Sequence, residues 1–291
     1  MNAPYHPPRA LHRLIARCAP LPRTRATLQD LTVLAGSDSW EMDATSTLRR
    51  HGCVVLRGLI DADVARLAGR DWTARIRGAM GTLGERPHHE DGAWGAQRGS
   101  AHWLTYGDLA SAGKTIFHLR TGRDEGMVDV FNVDLHEDLS DHDRTIRNAL
   151  LSQSVMSLID KAFRPSLAPT NLNLYLNRDI LETRGLHFDD LRFRVKAFAY
   201  LTDVDDPSAG PYTYVPGSHR STRHQKVTMW LNRRSGQERP LTDATLVSDE
   251  AGVRLLGPAG SIIISDQRGI HRGWPQSVGS ERIAMVQAYD T

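Results

Sequence analysis

The segment Gly185-Leu186-His187-Phe188-Asp189-Asp190 carries a His-x-Asp pair near the end of an extended stretch. In a strand, side chains two residues apart lie on the same face, so His187 and Asp189 can bind one ion together, whereas Asp190 would project to the opposite face. A further imidazole, His271, follows a later apolar run. Two imidazoles and one carboxylate form the facial triad that holds non-haem Fe(II) and leaves coordination positions open. Taken alone, the pair is weak evidence, because a surface His-Asp hydrogen bond has the same sequence.

The chain after residue 165 is a series of short apolar segments and turns. Residues 171–177 alternate strictly between polar and apolar side chains, which predicts a half-buried strand, and residues 191–201 predict a second long strand. Asp-Pro, Gly-Pro and Pro-Ala-Gly sequences between the later segments are typical of turns. Many short strands joined by turns predict a β-sandwich or β-barrel. The further predicted strands cover residues 212–215, 253–256, 261–264 and 283–289.

The chain before residue 165 has a mainly helical pattern. A buried strand over residues 53–60 ends at Asp61, which we expect to cap the next helix. Residues 81–126 are Gly-rich and irregular, and a stretch of this length in a compact protein is usually functional or mobile. The predicted helices cover residues 40–50, 62–80 and 140–163.

We therefore predict a single domain over residues 1–291, mainly β with helices (α+β), in which a helical N-terminal half supports a β-barrel. Residues 1–30 form an Arg- and Pro-rich arm, interpreted as a partly ordered surface segment and not as a targeting sequence. Residues 31–165 supply helical support and part of a substrate pocket. Residues 166–291 form the barrel, with a lid-like insertion at 221–250.

The composition narrows the class of protein. The formal net charge of +2 is too small to indicate a nucleic-acid or membrane partner, and the hydrophobic content of 40% is ordinary for a globular chain. No apolar run approaches the roughly 20 residues that span a bilayer. The two cysteines, Cys18 and Cys53, form neither a disulfide framework nor a zinc pattern. Such cysteine use suits a reducing compartment and predicts a cytoplasmic location.

Four segments occur in an order that is characteristic of one enzyme family. Tyr200–Asp205 is followed by Gly210–His219, and Gly257–Asp266 leads into His271. Arg282 stands eleven residues after His271, on the next predicted strand. In order and spacing, residues 171–289 resemble the phytanoyl-CoA dioxygenase family of Fe(II)/2-oxoglutarate-dependent oxygenases.

This resemblance implies a double-stranded β-helix, or jelly-roll, with the metal in one mouth of the barrel. By the resemblance, the metal ligands are His187, Asp189 and His271. Arg282 binds the distal carboxylate of 2-oxoglutarate, a role suited to a planar guanidinium that is always charged. The implied cofactors are Fe(II), 2-oxoglutarate and O2, and the coproducts are succinate and CO2.

Two positions refine the expected reaction. Halogenating relatives have a small residue in place of the carboxylate ligand, so Asp189 favours hydroxylation, desaturation or alcohol oxidation. At Gly273 the chain lacks a hydroxyl with which some relatives hold 2-oxoglutarate. Asn171, Asn173 or Tyr212 are candidates for that contact.

The substrate is the least constrained part of the prediction. Arg192 and Arg194 alternate on a strand face that is either solvated or a basic wall for an anionic substrate. His102, in the irregular segment, and Trp230, in the 221–250 insertion, are further candidates for substrate contact. The resemblance points to a small molecule, most simply in bacterial natural-product tailoring. The oligomeric state stays open.

Two other functions remain possible on the sequence. A cupin-like metalloenzyme uses the same triad without 2-oxoglutarate, although it has no need for a carboxylate anchor at Arg282. A non-catalytic metabolite-binding jelly-roll has no need to keep a complete ligand set.

Overall fold

A computed structural model describes residues 19–21, 25–82, 97–98, 102–103, 111, 113–120, 124–163, 167–234 and 240–291. Most of the predicted arm and much of the irregular 81–126 stretch lie outside these residues. The helices are α1 (Leu28–Leu31), α2 (Trp40–His51), α3 (Ala62–Thr82), α4 (Asp141–Leu150), α5 (Gln153–Ala162) and α6 (Thr222–Arg234). Among the described helices, none is long and apolar enough to cross a membrane.

The strands of the described residues form one large and two small sheets. The large mixed sheet has the order β1-β2-β11-β8-β13-β7-β6-β5, and its β1–β2 pair is parallel. A three-stranded sheet has the order β10-β9-β12, and β3 pairs with β4. The strand bounds are β1 Thr32–Leu34, β2 Cys53–Arg57, β3 Gln97–Arg98, β4 His102–Trp103, β5 Ile116–Leu119, β6 Val128–Phe131, β7 Ala168–Arg178, β8 Arg194–Tyr200, β9 Tyr212–Tyr214, β10 Val253–Arg254, β11 Ile262–Asp266, β12 His271–Gly273 and β13 Glu281–Asp290.

Both faces of the large sheet are covered. On one face, alternate residues such as Leu174, Ala197 and Ile264 pack in a core with the helices. On the other face, their neighbours, such as Phe198 and Ile263, pack with tyrosines of the three-stranded sheet. Two sheets facing each other, with helices behind the larger one, confirm the predicted mainly β architecture with helices packed against it.

Residues 171–177 form a strand, β7, as predicted, but the strand is not half buried. Asn173 and Asn177 are buried, although they occupy the polar side of the alternation. Their face points into the barrel and not into solvent, because Asn177 accepts from the buried Arg282 and Asn173 accepts from the buried backbone N–H of Asn132. Alternation alone does not distinguish a solvent-facing polar side from a polar barrel interior.

The single helix predicted over residues 140–163 is two helices, α4 and α5. The Ser152 side chain accepts a hydrogen bond from the backbone N–H of Val155 and caps the start of α5. Helix α4 begins with a capping box formed by Ser140 and Asp143. The sequence carries apolar periodicity through the junction, but a serine that caps a new helix ends the first one. The expected cap of α3 is confirmed, because Asp61 Oδ1 accepts hydrogen bonds from the backbone N–H groups of Asp63 and Val64.

Gly52 is the most restricted turn position in the fold. It ends α2 with φ of +79°, and a Cβ atom there would lie 2.4 Å from His219 Nδ1 and 2.6 Å from the Tyr214 hydroxyl. We expect Gly52→Ala to lower the free energy of unfolding by at least about 2 kcal/mol, because strain and overlap add. Urea denaturation measures this change. The matched control is Gly78→Ala in α3, where no atom lies within 4 Å. The control is expected to be neutral or to stabilise by up to about 1 kcal/mol, and equal losses in both variants would contradict the assignment.

Candidate metal centre

The structure brings two imidazoles and one carboxylate together at one end of the barrel. Each of His187, Asp189 and His271 offers a ligand atom, and these atoms lie within 4.8 Å of one another. Asp189 Oδ1 lies 3.5 Å from His271 Nε2 and 3.8 Å from His187 Nε2. Among the described residues, no other group of three or more His, Cys, Asp or Glu side chains is arranged to hold a metal ion.

The backbone fixes this cluster directly. His187 and His271 form an isolated antiparallel bridge, with N–O distances of 2.9 Å and 2.7 Å in the two directions. Asp189 N donates to the Gln267 carbonyl at 3.1 Å. His271 is also the first residue of β12, which pairs with β9. The ligand residues therefore belong to one hydrogen-bonded unit, although they are far apart in sequence.

Both imidazoles are oriented as metal ligands. His187 Nδ1 lies 2.8 Å from the Gly185 carbonyl, and His271 Nδ1 lies 2.9 Å from the Gly269 carbonyl. A carbonyl only accepts, so each Nδ1 carries the proton and each Nε2 keeps its lone pair toward the shared centre. Burial, with His271 and Arg184 nearby, lowers the pKa of His187 well below its ordinary value. Two imidazoles with one carboxylate are a ligand set that fits Fe(II).

The two neighbouring aspartates have different surroundings. Asp190 turns away from the cluster, and its carboxylate pairs with Arg192 at 2.7 Å. Asp189 faces the cluster through Oδ1 and binds Lys196 Nζ at 2.7 Å through Oδ2. Burial alone would raise the pKa of the Asp189 carboxyl, but the Lys196 ammonium holds it well below its usual range. Asp189 is therefore a carboxylate at neutral pH, as a metal ligand must be.

The cluster opens into a cavity of about 110 Å³ within the barrel. Arg282 lines this cavity, where its guanidinium donates to the Gly210 carbonyl and to Asn177 Oδ1. Its Nε is buried without a hydrogen-bond partner. Burial lowers the pKa of Arg282, but a guanidinium stays charged at neutral pH. The interior thus holds a cation that an anionic ligand can neutralise.

The predicted 2-oxoglutarate contacts are divided between two places. Tyr212 lines the cavity, and its hydroxyl lies 3.2 Å from Ser265 Oγ. Asn171 and Asn173 do not line it; they contact Asn132 on the neighbouring part of the structure. The asparagine that contacts Arg282 is Asn177, which stands opposite it in the β7–β13 register. The strand alternation could have identified it, since Asn177 lies on the same face as Asn173.

Three of the four predicted substrate residues lie away from the cavity. Arg192 pairs with Asp190, Arg194 pairs with Asp290 at 2.6 Å, and neither lines the cavity. Trp230 is half exposed on α6, against Arg234. His102 lies in β4, and its side chain is outside the described part of the structure. The structure thus does not bring Arg192, Arg194 or Trp230 to the candidate ligand cluster.

Two ion-paired arginines, which the sequence analysis did not select, line the cavity instead. Arg120 binds both oxygens of the buried Asp129, at 2.6 Å and 3.0 Å. Arg184 binds Asp243 at 2.8 Å. Gln267 also lines the cavity; its amide N–H groups point to Ser265, and its Oε1 is buried without a partner.

Residues 240–250 of the predicted 221–250 insertion pack against the segment that carries His187 and Asp189. The Thr242 carbonyl accepts from Phe188 N, and Ala244 N donates to the Leu186 carbonyl. His187 itself forms a bridge with Asp243. This part of the insertion therefore packs beside the candidate ligands.

The chain is similar to solved structures of three proteins. The epimerase SnoN, in complex with Fe3+, alpha-ketoglutarate and nogalamycin RO, gives a TM-score of 0.51 at 18% identity, covering 87% of this chain and 84% of that one. The non-haem alpha-ketoglutarate-dependent carbocyclase SnoK from nogalamycin biosynthesis gives a TM-score of 0.50 at 20% identity, covering 91% of this chain and 86% of that one. AviO1 from Streptomyces viridochromogenes Tue57 gives 0.50 at 20% identity, covering 86% and 95%.

No protein-family profile matches the sequence, and no curated protein is significantly similar to it. At identities of 18–20%, the structural similarity establishes the fold. The chain has the jelly-roll fold of non-haem, alpha-ketoglutarate-dependent enzymes, as its resemblance to the phytanoyl-CoA dioxygenase family led us to expect.

Proposed function

We propose that this protein is an Fe(II)/2-oxoglutarate-dependent oxygenase that oxidises, most simply by hydroxylation, a C–H bond of a small molecule. One observation carries the proposal. His187, His271 and the ionised Asp189 face one centre, inside a cavity that also holds the guanidinium of Arg282, whose Nε has no hydrogen-bond partner. A metal and a dianionic cosubstrate account for both features together.

In this proposal His187, Asp189 and His271 hold Fe(II) on one face, and their Nδ1 and Oδ2 contacts fix their orientation. When bound, the iron and 2-oxoglutarate together supply oxidation by O2, with succinate and CO2 as coproducts. The protein contributes ligand orientation and a largely buried cavity, since the aromatic rings of Phe198, Tyr200 and Tyr212 line it.

Arg282 is the proposed partner of the distal carboxylate of 2-oxoglutarate. Its buried Nε has no partner, and its position beside Asn177 and Gly210 gives the group a fixed direction. A guanidinium forms charge-assisted hydrogen bonds that match a carboxylate. Tyr212 remains a proposed further donor, because burial raises its pKa well above the ordinary value and keeps the phenol protonated.

The proposed substrate is an uncharged or zwitterionic natural product with a hydroxyl or amine near the reacting carbon. The arginines of the cavity wall, Arg120 and Arg184, already have acid partners, which argues against a strongly anionic substrate. The buried Oε1 of Gln267 offers an acceptor to such a donor group. The nogalamycin-pathway neighbours support natural-product chemistry.

The proposal is tested by turnover. Protein with Fe(II), ascorbate, 2-oxoglutarate and air is expected to release succinate, slowly alone and faster with a true substrate. Mass spectrometry of a panel of hydroxylated natural products then identifies a compound that gains one oxygen atom. His271→Ala should abolish succinate release.

The same experiment distinguishes the two alternatives. Metal-dependent oxidation that proceeds without 2-oxoglutarate would favour the cupin-like metalloenzyme. A protein that binds neither metal nor 2-oxoglutarate would favour the metabolite-binding jelly-roll.

A further inference from the structure

Lys196 is a cation that directly contacts a candidate metal ligand, Asp189. The family resemblance assigns no role to Lys196. It lies on β8 and points to the barrel interior, on the same face as Phe198 and Tyr200. Its Nζ binds Asp189 Oδ2 at 2.7 Å, and both side chains are mostly buried. Its carboxylate partner is thus a group that a metal must also use.

Lys196 differs from the other cations of the cavity in its ion-pair partner. Arg120 and Arg184 are bound to acids that are not candidate ligands. Arg282 donates to Asn177 and Gly210. Lys196 alone among the cations of the described cavity is paired with a member of the triad.

A divalent ion at the triad would lie close to the Lys196 ammonium. Like charges in a poorly hydrated site repel strongly, so Lys196 opposes occupation of the site by a metal alone. A dianion bound to the same metal removes this penalty. The Asp189–Lys196 pair therefore makes metal binding favour 2-oxoglutarate binding. By thermodynamic linkage, 2-oxoglutarate binding favours metal binding by the same factor.

Resting on the proposed function, we propose that Lys196 couples metal binding to 2-oxoglutarate binding. In the free protein it holds the Asp189 carboxylate and neutralises it. With the metal alone it is an unfavourable neighbouring charge, and with metal and 2-oxoglutarate together it balances the added negative charge. Lys196 is a positioning residue, since it acts through Asp189.

The test is a titration with Co(II), which reports binding without turnover, in the presence and absence of saturating 2-oxoglutarate. Wild-type protein should bind Co(II) more tightly when 2-oxoglutarate is present. Without 2-oxoglutarate, Lys196→Met should bind Co(II) at least about tenfold more tightly than wild type. The factor by which 2-oxoglutarate increases its Co(II) affinity should be at least about tenfold smaller than in wild type. Lys196→Arg, which keeps the charge, should retain the enhancement.

Two further variants keep the result interpretable. Lys226→Met removes the same charge from the exposed face of α6 and should leave Co(II) binding unchanged. Lys196→Gln repeats the loss of charge with a polar side chain, in case Lys196→Met unfolds because Asp189 is buried without its cation.

The outcomes separate this inference from the proposed function. If wild-type protein binds Co(II) in a manner that His271→Ala abolishes, but the neutral Lys196 variants bind Co(II) no more tightly and keep the enhancement, the coupling role is overturned and the oxygenase proposal stands. Weaker Co(II) binding by both neutral variants also overturns it. Absence of Co(II) binding by wild-type protein overturns both.

Discussion

Asp189→Ala is expected to weaken Fe(II) binding by at least about 100-fold and to abolish 2-oxoglutarate-dependent succinate release. The triad has one carboxylate, and its loss removes both a ligand and the negative charge that offsets the metal. The variant also leaves Lys196 beside the site without its acid partner, which adds repulsion. Anaerobic calorimetric titration with Fe(II) measures the change.

The matched control is the adjacent residue. Asp190→Ala removes an identical side chain that pairs with Arg192 and faces away from the cluster. It should bind Fe(II) within about threefold of wild type, because an exposed ion pair contributes little. Normal Fe(II) affinity in Asp189→Ala, or equal losses in both variants, would remove Asp189 from the ligand set.

Arg282→Met is expected to weaken 2-oxoglutarate binding by at least about 50-fold while Fe(II) affinity without 2-oxoglutarate changes little. Methionine preserves much of the buried volume but removes the charge and the donors. Hydrogen bonds to a charged group contribute about 1.5–3 kcal/mol each, so the loss of even one or two such bonds accounts for this magnitude. Titration of 2-oxoglutarate into the Co(II)-loaded protein measures the change.

Arg178→Met provides the control for this effect. Arg178 is the neighbour of Asn177 on β7 and pairs with Glu281, but it does not line the cavity. Its loss should leave 2-oxoglutarate affinity unchanged. An Arg282→Met protein that binds 2-oxoglutarate as tightly as wild type would exclude Arg282 as the anchor.

The candidate ligands could be selected from the sequence because the His-x-Asp pair is local and the family resemblance supplies the order of the later segments. The His-x-Asp spacing needs only an extended backbone, and the position of His271 follows from the order of the strands. What local spacing cannot provide is the backbone bridge that joins His187 to His271 across the barrel. That contact depends on the pairing of distant segments.

The cavity wall was harder to predict, because a jelly-roll interior is polar near its site. From alternation alone, a polar residue on a strand is compatible with solvent exposure and with contact to a bound cofactor. In the fold, Asn177 and Lys196 are the polar residues that contact Arg282 and Asp189. Which of several equivalent positions faces the site depends on the strand register, since a shift of two residues keeps the same face.

The most direct test of the proposed chemistry is the visible absorption spectrum of anaerobic protein with Fe(II), before and after addition of 2-oxoglutarate. Chelation of the metal by 2-oxoglutarate at His187, Asp189 and His271 should produce a weak charge-transfer band that neither component gives alone. The band should be absent in Asp189→Ala and present in Asp190→Ala. Fe(II) binding with no new band on addition of saturating 2-oxoglutarate would contradict the assignment of this protein as a 2-oxoglutarate-dependent oxygenase.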